Sequence, residues 1–378
     1  MKAVGMKIHL DIVDNVVGFT ISNAREGEQV RILPKAAITS DEQEFYLYIE
    51  QIAASFLNKN NIPSDSVYQF LIIIHQDLSA DLYINDFQAI AEIMSKKDII
   101  EGDLARECDI ADIKSLKFPE VKIIETDKIV YCFKVGWKFG LFFDLDRRQP
   151  LDLDDLYLRI GILYRYLRFQ YVYNLIEKEP HYGEMVKDGW FPFVSLLGSE
   201  FRSLIELYKN KFDFNSKIDR FVDTFDKARL DRIINKWWNK EIFKEKQSIL
   251  QAGIDSFLEK SDKGHINCIK NLYSEIDGII RILYFRDSDK DERITTQKML
   301  GYILKRAREK SGDDLSLLLP YKFFEYLKDI AFADFDLEKG KIDLSRHSTS
   351  HGVASAESYT KMKALQAILI LDQIYFYI

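Results

Sequence analysis

A chain of 378 residues is longer than one hydrophobic core usually organises, since cores stop growing near ~250–300 residues, so two or more domains are expected. With 47% apolar and 30% charged residues the composition is ordinary for a globular protein, which excludes general disorder, and a net charge of −7 excludes a protein that coats nucleic acid by phosphate neutralisation alone. Three cysteines, Cys108, Cys132 and Cys268, lie apart with no CxxC pair, which argues against both a disulfide framework and a thiolate zinc site.

The opening residues MKAVGMKIHLDIVDN lack the apolar stretch and small-residue cleavage site of a secretory signal, because His9 and Asp11 interrupt the apolar positions. A cytoplasmic location is expected. MKIHLDIV and VVGFTIS read as strands. Thr39 then offers an N-cap with Glu42 three residues on, followed by Phe45, Ile49, Ile52 and Phe56 at helical spacing. The apolar run Leu71 to Ile74 suits a buried strand. KIVYCFKVGWKFGLFFDL reads as a hairpin turning between Gly136 and Gly140. Residues 1–150 are therefore a mixed α/β domain.

After Pro150 the pattern becomes helical. Leu156, Ile160, Leu163 and Leu167 mark an amphipathic helix that stops before Pro180. Ile269, Leu272, Ile276, Ile279 and Leu283 form a core-facing stripe, and RDSDKDERITT separates that helix from one starting at Thr295 or Thr296 and stopping at Gly312. A last helix runs from about Ser355. The greasy run Ala364 to Ile378 is fifteen residues long and holds Asp372, whereas a membrane span needs about 20 apolar residues, so a buried helix is expected and no membrane association. The reading is α+β: residues 1–150 α/β, 151–227 a helical connector, 228–378 a helical domain.

P-loop, GxGxxG, HExxH and GxSxG motifs are absent, which disfavours P-loop ATPases, Rossmann enzymes, zincins and α/β-hydrolases. The acidic group Asp144, Asp146, Asp152, Asp154 and Asp155 could hold Mg²⁺, but Asp152 to Asp155 open a helix, where carboxylates cap free N–H groups, so capping is preferred. Trp190, Trp237 and Trp238 lie beside apolar stripes and read as core rather than as base-stacking platforms. LSRHSTSHGVA, residues 344–354, gathers Arg346, His347 and His351 with the hydroxyls of Ser345, Ser348, Thr349 and Ser350.

Arg346 and His351 make an R-x4-H pattern in a helical region, followed by Gly352, and this resembles the HEPN family, whose many ribonuclease members carry R-x4-6-H. GWKFGLFFD, GWFPF and LSRHSTSHGVA together look like bacterial proteins with HEPN-like C-termini over most of the chain. Where the family usually has Asn after the arginine, this chain has His347. The resemblance implies a C-terminal HEPN-like bundle, a homodimer, RNA as the substrate, and a role as a regulated toxin or antiphage effector whose N-terminal domain answers a partner or ligand. It also implies that Asp277 or Glu275 orients Arg346 or a histidine, whereas the four-residue spacing of Asp277 and Arg281 reads, in preference, as a surface ion pair.

The chemistry fits such a task. Cleaving RNA through its own 2′-OH needs a group that moves protons near neutral pH, for which His351 is the candidate, and a guanidinium, Arg346, offers bidentate donors to the charge gathering on phosphate oxygen. His347 and Ser345 are supporting residues. Neither a metal nor a cofactor is required. Five residues on an ideal helix turn about 500°, so Arg346 and His351 point about 140° apart, and they converge only if the segment is not helical or if two copies meet. Two other readings stand: a polar turn that hydrogen-bonds carbonyls at a helix junction, and a non-catalytic dimerisation, nucleotide-binding or partner-binding module. An HxxxH metal site lacks a third ligand.

Overall fold

The computed structural model describes residues 5–9, 19–20, 22–33, 37–48, 67–145, 149–288, 294–338 and 342–378. The chain divides into two compact units, one taking Met1–Ile93 with Ile113–Gln170 and the other Met94–Asp112 with Tyr171–Ile378.

The first unit is built on an antiparallel sheet of six strands. In chain order these are β1 (Met6–His9), β4 (Ala37–Thr39), β5 (Gln69–Ile74), β6 (Ser79–Ile84), β9 (Lys128–Val135) and β10 (Lys138–Asp144), arranged β1-β6-β5-β9-β10-β4. Two two-stranded ladders complete the strands, β2 (Phe19–Thr20) with β3 (Ile32–Leu33) and β7 (Ile90–Ser95) with β8 (Ile110–Lys117). The expected hairpin is β9–β10, where Val135 pairs with Lys138 and the two-residue loop needs Gly136 at φ +61°. Thr39 donates its N–H to the Glu42 carboxylate (3.0 Å) just before the short helix α1 (Phe45–Tyr48), but Ile49, Ile52 and Phe56 lie outside the described residues.

The run FLIII in β5 is continuous because the sheet is buried on both faces. Leu71 and Ile73 join Tyr131, Phe133 and Phe142 in one core, while Phe70, Ile72 and Ile74 join Val130, Cys132 and Leu141 in another. Helix α2 (Leu153–Arg168) covers the first of these, inserting Leu156, Ile160, Leu163 and Leu167. It therefore belongs with the sheet, in the unit that takes Ile113–Gln170. Asp152 caps α2 by accepting from the N–H groups of Asp154 (2.9 Å) and Asp155 (3.3 Å), the capping role expected of this acidic group; Asp146 is outside the described residues.

Gly161 lets α2 approach β8. A Cβ at this position would lie 2.6 Å from the Ser115 Cα, a backbone atom that cannot turn aside. Gly161→Ala is expected to lower stability by about 1–3 kcal/mol through overpacking, although alanine is the better helix former by ~1 kcal/mol. Urea denaturation checks this, and a variant more stable than wild type would refute the close approach.

His75, at the end of β5, places Nδ1 2.8 Å from Asp127 Oδ1 and Nε2 3.5 Å from Asp81 Oδ2. Partial burial pulls the imidazole pKa down, but the hydrogen bonds and charges of Asp127 and Asp81 outweigh it, and the net pKa lies above the ordinary value. A raised pKa means that the folded state holds the proton more tightly. The cluster therefore adds stability below about pH 6.5 and loses it as pH rises through the higher folded-state value. His75→Gln should fall furthest below wild type in thermal melts near about pH 5.5, with the gap closing above about pH 8; a gap that widens with pH would contradict this.

The second unit is helical. It contains α3 (Gln170–Lys178, counted from Tyr171), α4 (His181–Lys187), α5 (Ser199–Lys209), α6 (Phe214–Asp223), α7 (Lys227–Ile234), α8 (Glu241–Glu245) and α9 (Gln247–Leu258). It continues with α10 (Asp262–Asp287), α11 (Thr296–Ser311), α12 (Pro320–Tyr326), α13 (Arg346–Ser350) and α14 (Lys361–Tyr377). Thr295 caps α11 and Gly312 ends it at φ +78°, as the sequence predicts.

The segment Met94–Asp112 is held in this unit by polar contacts. Lys96 Nζ donates to the Leu197 carbonyl (2.8 Å), and the buried Asp112 accepts from Ser316 Oγ (2.6 Å) and the Leu317 N–H (3.1 Å). Trp237 sits in a 3₁₀ turn over Asn235–Asn239 rather than in an α-helix, and both it and Trp190 are fully buried, which removes them as base-stacking platforms. Helix α14 is the centre of the unit: every residue from Ala364 to Ile374 is buried, Asp372 included, and it packs on α10 and α11. No helix among the described residues is long and apolar enough to cross a membrane.

Candidate functional site

The site is assembled where α13 meets α10. Ile269, Leu272, Ile276 and Ile279 are fully buried and fix the rotation of α10; Leu283, the last residue of the expected stripe, is half-buried. Asp277 is consequently carried at the flank of that stripe, with its side chain 10% exposed. Its Oδ2 accepts from Arg346 Nη2 (3.1 Å), and its two oxygens accept from Arg281 at 3.3 and 3.4 Å. Glu275, two residues earlier, turns instead to Lys246 (3.1 Å) and takes no part in the motif. Two guanidinium groups offset the cost of placing a carboxylate this far from water, and it fixes the Arg346 side chain in return.

The hydroxyls of the motif are structural. Ser345 is the N-cap of α13: its Oγ accepts from the Ser348 N–H (3.1 Å), while its own N–H donates to Ser348 Oγ (2.8 Å). This is a capping box in which serine replaces the usual acid, and both residues are buried. Ser348 Oγ also donates to the Asp343 carbonyl (2.8 Å). Gly352 closes the helix in the left-handed region at φ +70°, with the Val353 N–H returning to the Ser348 carbonyl (3.0 Å).

The segment is thus helical from Arg346 to His351, whose N–H donates to the His347 carbonyl (3.1 Å). Arg346 turns to Asp277 on α10. The two histidines turn to a different neighbour: His347 Nδ1 lies 2.8 Å from Asp334 Oδ1, and the exposed His351 ring sits 5.6 Å from the Phe335 ring. Arg346 and His351 therefore share no partner within one chain, in keeping with their ~140° separation around a helix. His347 and His351 do share one, the segment Asp334–Phe335. A carboxylate on Nδ1 favours the tautomer that leaves the Nε2 lone pair available.

Two clefts adjoin the motif. One, of about 560 Å³, lies behind Ser345 and is lined by Asp188, Asp336, Asp343 and Glu357, together with Asp329 and Asp334, which it shares with the second cleft. Lys363 enters this cleft and donates to the Asp188 carbonyl (2.9 Å); burial pushes its pKa down to about 8. The other, of about 700 Å³, is bordered by His347. Asp334 and Phe335 carry no local signal in the sequence, because their contacts with the motif are tertiary and follow no local period. Among the described residues no group of three or more His, Cys, Asp or Glu side chains is placed to hold a metal ion. Comparison with family models, with curated proteins and with solved structures finds no match to this chain.

Proposed function

We propose that this chain is a metal-independent endoribonuclease of the HEPN type, acting as a homodimer and held in check by its first unit until a cellular or phage signal arrives. The observation that supports it is the Arg346–Asp277 ion pair at 3.1 Å on the same short helix that ends in the exposed His351. A guanidinium fixed by a buried carboxylate stabilises charge on a phosphate without reorganising, and an exposed imidazole exchanges protons with substrate and water. The RNA 2′-OH attacks the adjacent phosphorus, the 5′-oxygen leaves with a proton, and the products are a 2′,3′-cyclic phosphate and a 5′-hydroxyl end. His351 moves the protons, Arg346 meets the charge on the phosphorane oxygens, and His347, held by Asp334, supports the transfer. Because Arg346 turns to Asp277 and His351 to Phe335, the reading takes two copies, each giving one group to a shared phosphodiester.

The test is incubation of the full chain with mixed RNA in EDTA, beside Arg346→Ala and His351→Ala. Cyclic-phosphate ends that appear with wild type and vanish with both variants support the reading. A second reading, a non-catalytic partner-binding module, is favoured by the carboxylates lining the cleft behind Ser345, which repel a phosphodiester strand. Retained binding of a partner with no RNA turnover in any preparation would select it.

A further inference from the structure

The cleft bordered by His347 differs in character from the acidic one behind Ser345. Its volume of about 700 Å³ lies in the range that accommodates a small ligand. Phe324, half-buried, gives it apolar surface over the buried Leu300 and Phe332, and the polar side chains of Gln297 and Asp329 stand exposed among its lining residues. Lys328 offsets the charge of Asp329, and Asp334 is engaged by His347, so the cleft lacks the excess of positive charge that holds a phosphate. One accessible aromatic side chain with hydrogen-bonding groups around it suits a planar, uncharged ring.

We propose that this cleft seats one base of the RNA strand, next to the phosphate presented to His347, and that it prefers bases with an exocyclic amino group to uracil. The preference follows from acceptor chemistry. A carboxylate at Asp329 accepts from the amino groups of adenine, cytosine or guanine, and the Gln297 amide pairs well with an adenine edge. Uracil presents two carbonyls flanking a single N–H, and those carbonyls meet the carboxylate unfavourably. Phe324, partly exposed, supplies stacking that every base can use.

The position of the base beside a scissile phosphate rests on the nuclease reading; its binding does not. The full-length protein is titrated with the four nucleoside 5′-monophosphates by calorimetry, and RNA cleavage sites are mapped in parallel. AMP, GMP and CMP should bind roughly ten-fold more tightly than UMP. Asp329→Asn and Gln297→Ala, at exposed positions that leave the fold intact, should level the four affinities, and Phe324→Leu should weaken all of them about ten-fold. Equal affinities in wild type, no binding at millimolar nucleotide, or a preference untouched by Asp329→Asn and Gln297→Ala would overturn the proposal. Nucleotide binding with this pattern but no RNA cleavage would sink the nuclease and leave the cleft standing. Cleavage at the same sites by wild type and the cleft variants would do the reverse.

Discussion

Arg346→Ala and His351→Ala are each expected to reduce RNA cleavage by roughly 10²–10⁴-fold, the contribution usual for a proton-transferring group or a preorganised charge donor. The two differ in their effect on the fold. His351 is exposed, touching Phe335 at its ring, so its loss should shift stability by no more than about 0.5 kcal/mol. Arg346 neutralises the nearly buried Asp277, so Arg346→Ala leaves that carboxylate with Arg281 alone and should also lower the melting temperature. Arg346→Lys keeps the charge and separates the two effects, since it restores the ion pair without the planar pair of donors. Mixing the two alanine variants gives the sharper result. If each site takes its arginine from one copy and its histidine from the other, random pairing should return about a quarter of wild-type activity. No recovery on mixing, with both variants folded and dimeric, would refute the shared site; cleavage unaltered in either single variant would refute the nuclease.

Asp372→Ala should destabilise the second unit by about 3–5 kcal/mol, a large part of the 5–15 kcal/mol that typically separates folded from unfolded states. Asp372 is 1% exposed at the middle of α14, yet its carboxylate is fully engaged. It accepts from Trp237 Nε1 (2.9 Å) and Ser195 Oγ, and it pairs with Lys236 Nζ (2.7 Å), itself largely buried. Removing it strands an ammonium group, an indole N–H and a hydroxyl away from water, and each such group costs free energy. Asp372→Asn retains the shape and part of the hydrogen bonding, so it should fall between wild type and alanine. Chemical denaturation measures both. A loss below about 1 kcal/mol for alanine would show that water reaches the cluster freely.

Where local chemistry sets an element, the sequence is sufficient. The cap at Asp152, the Gly136 turn, the Thr295 start and the Gly312 stop each depend on one or two residues, and all stand where the sequence places them. The strands β6, β7 and β8 are less legible because polar residues break their patterns: SADLYI carries Asp81 for Lys7 and His75, and IADIKSLK carries Asp112 for Ser316. Neither alternation nor continuous apolarity survives such partners. Unit membership is hidden for a related reason, since Met94–Asp112 is tied to its unit by buried ion and hydrogen-bond partners about a hundred or more residues away. Within the candidate site, the Arg346–Asp277 contact joins residues 69 positions apart. It was expected from family resemblance, not from spacing, and Glu275, equally eligible on that ground, meets Lys246. The serines, which the composition of the motif presents as chemistry, are spent on closing a five-residue helix.

Helix α14 is the inner post around which the second unit closes, and it follows the motif in sequence. The motif is therefore made before the helix that completes the unit carrying it. Any product cut short ahead of residue 361 lacks that scaffold and is left with apolar faces of α10 and α11 open to proteolysis.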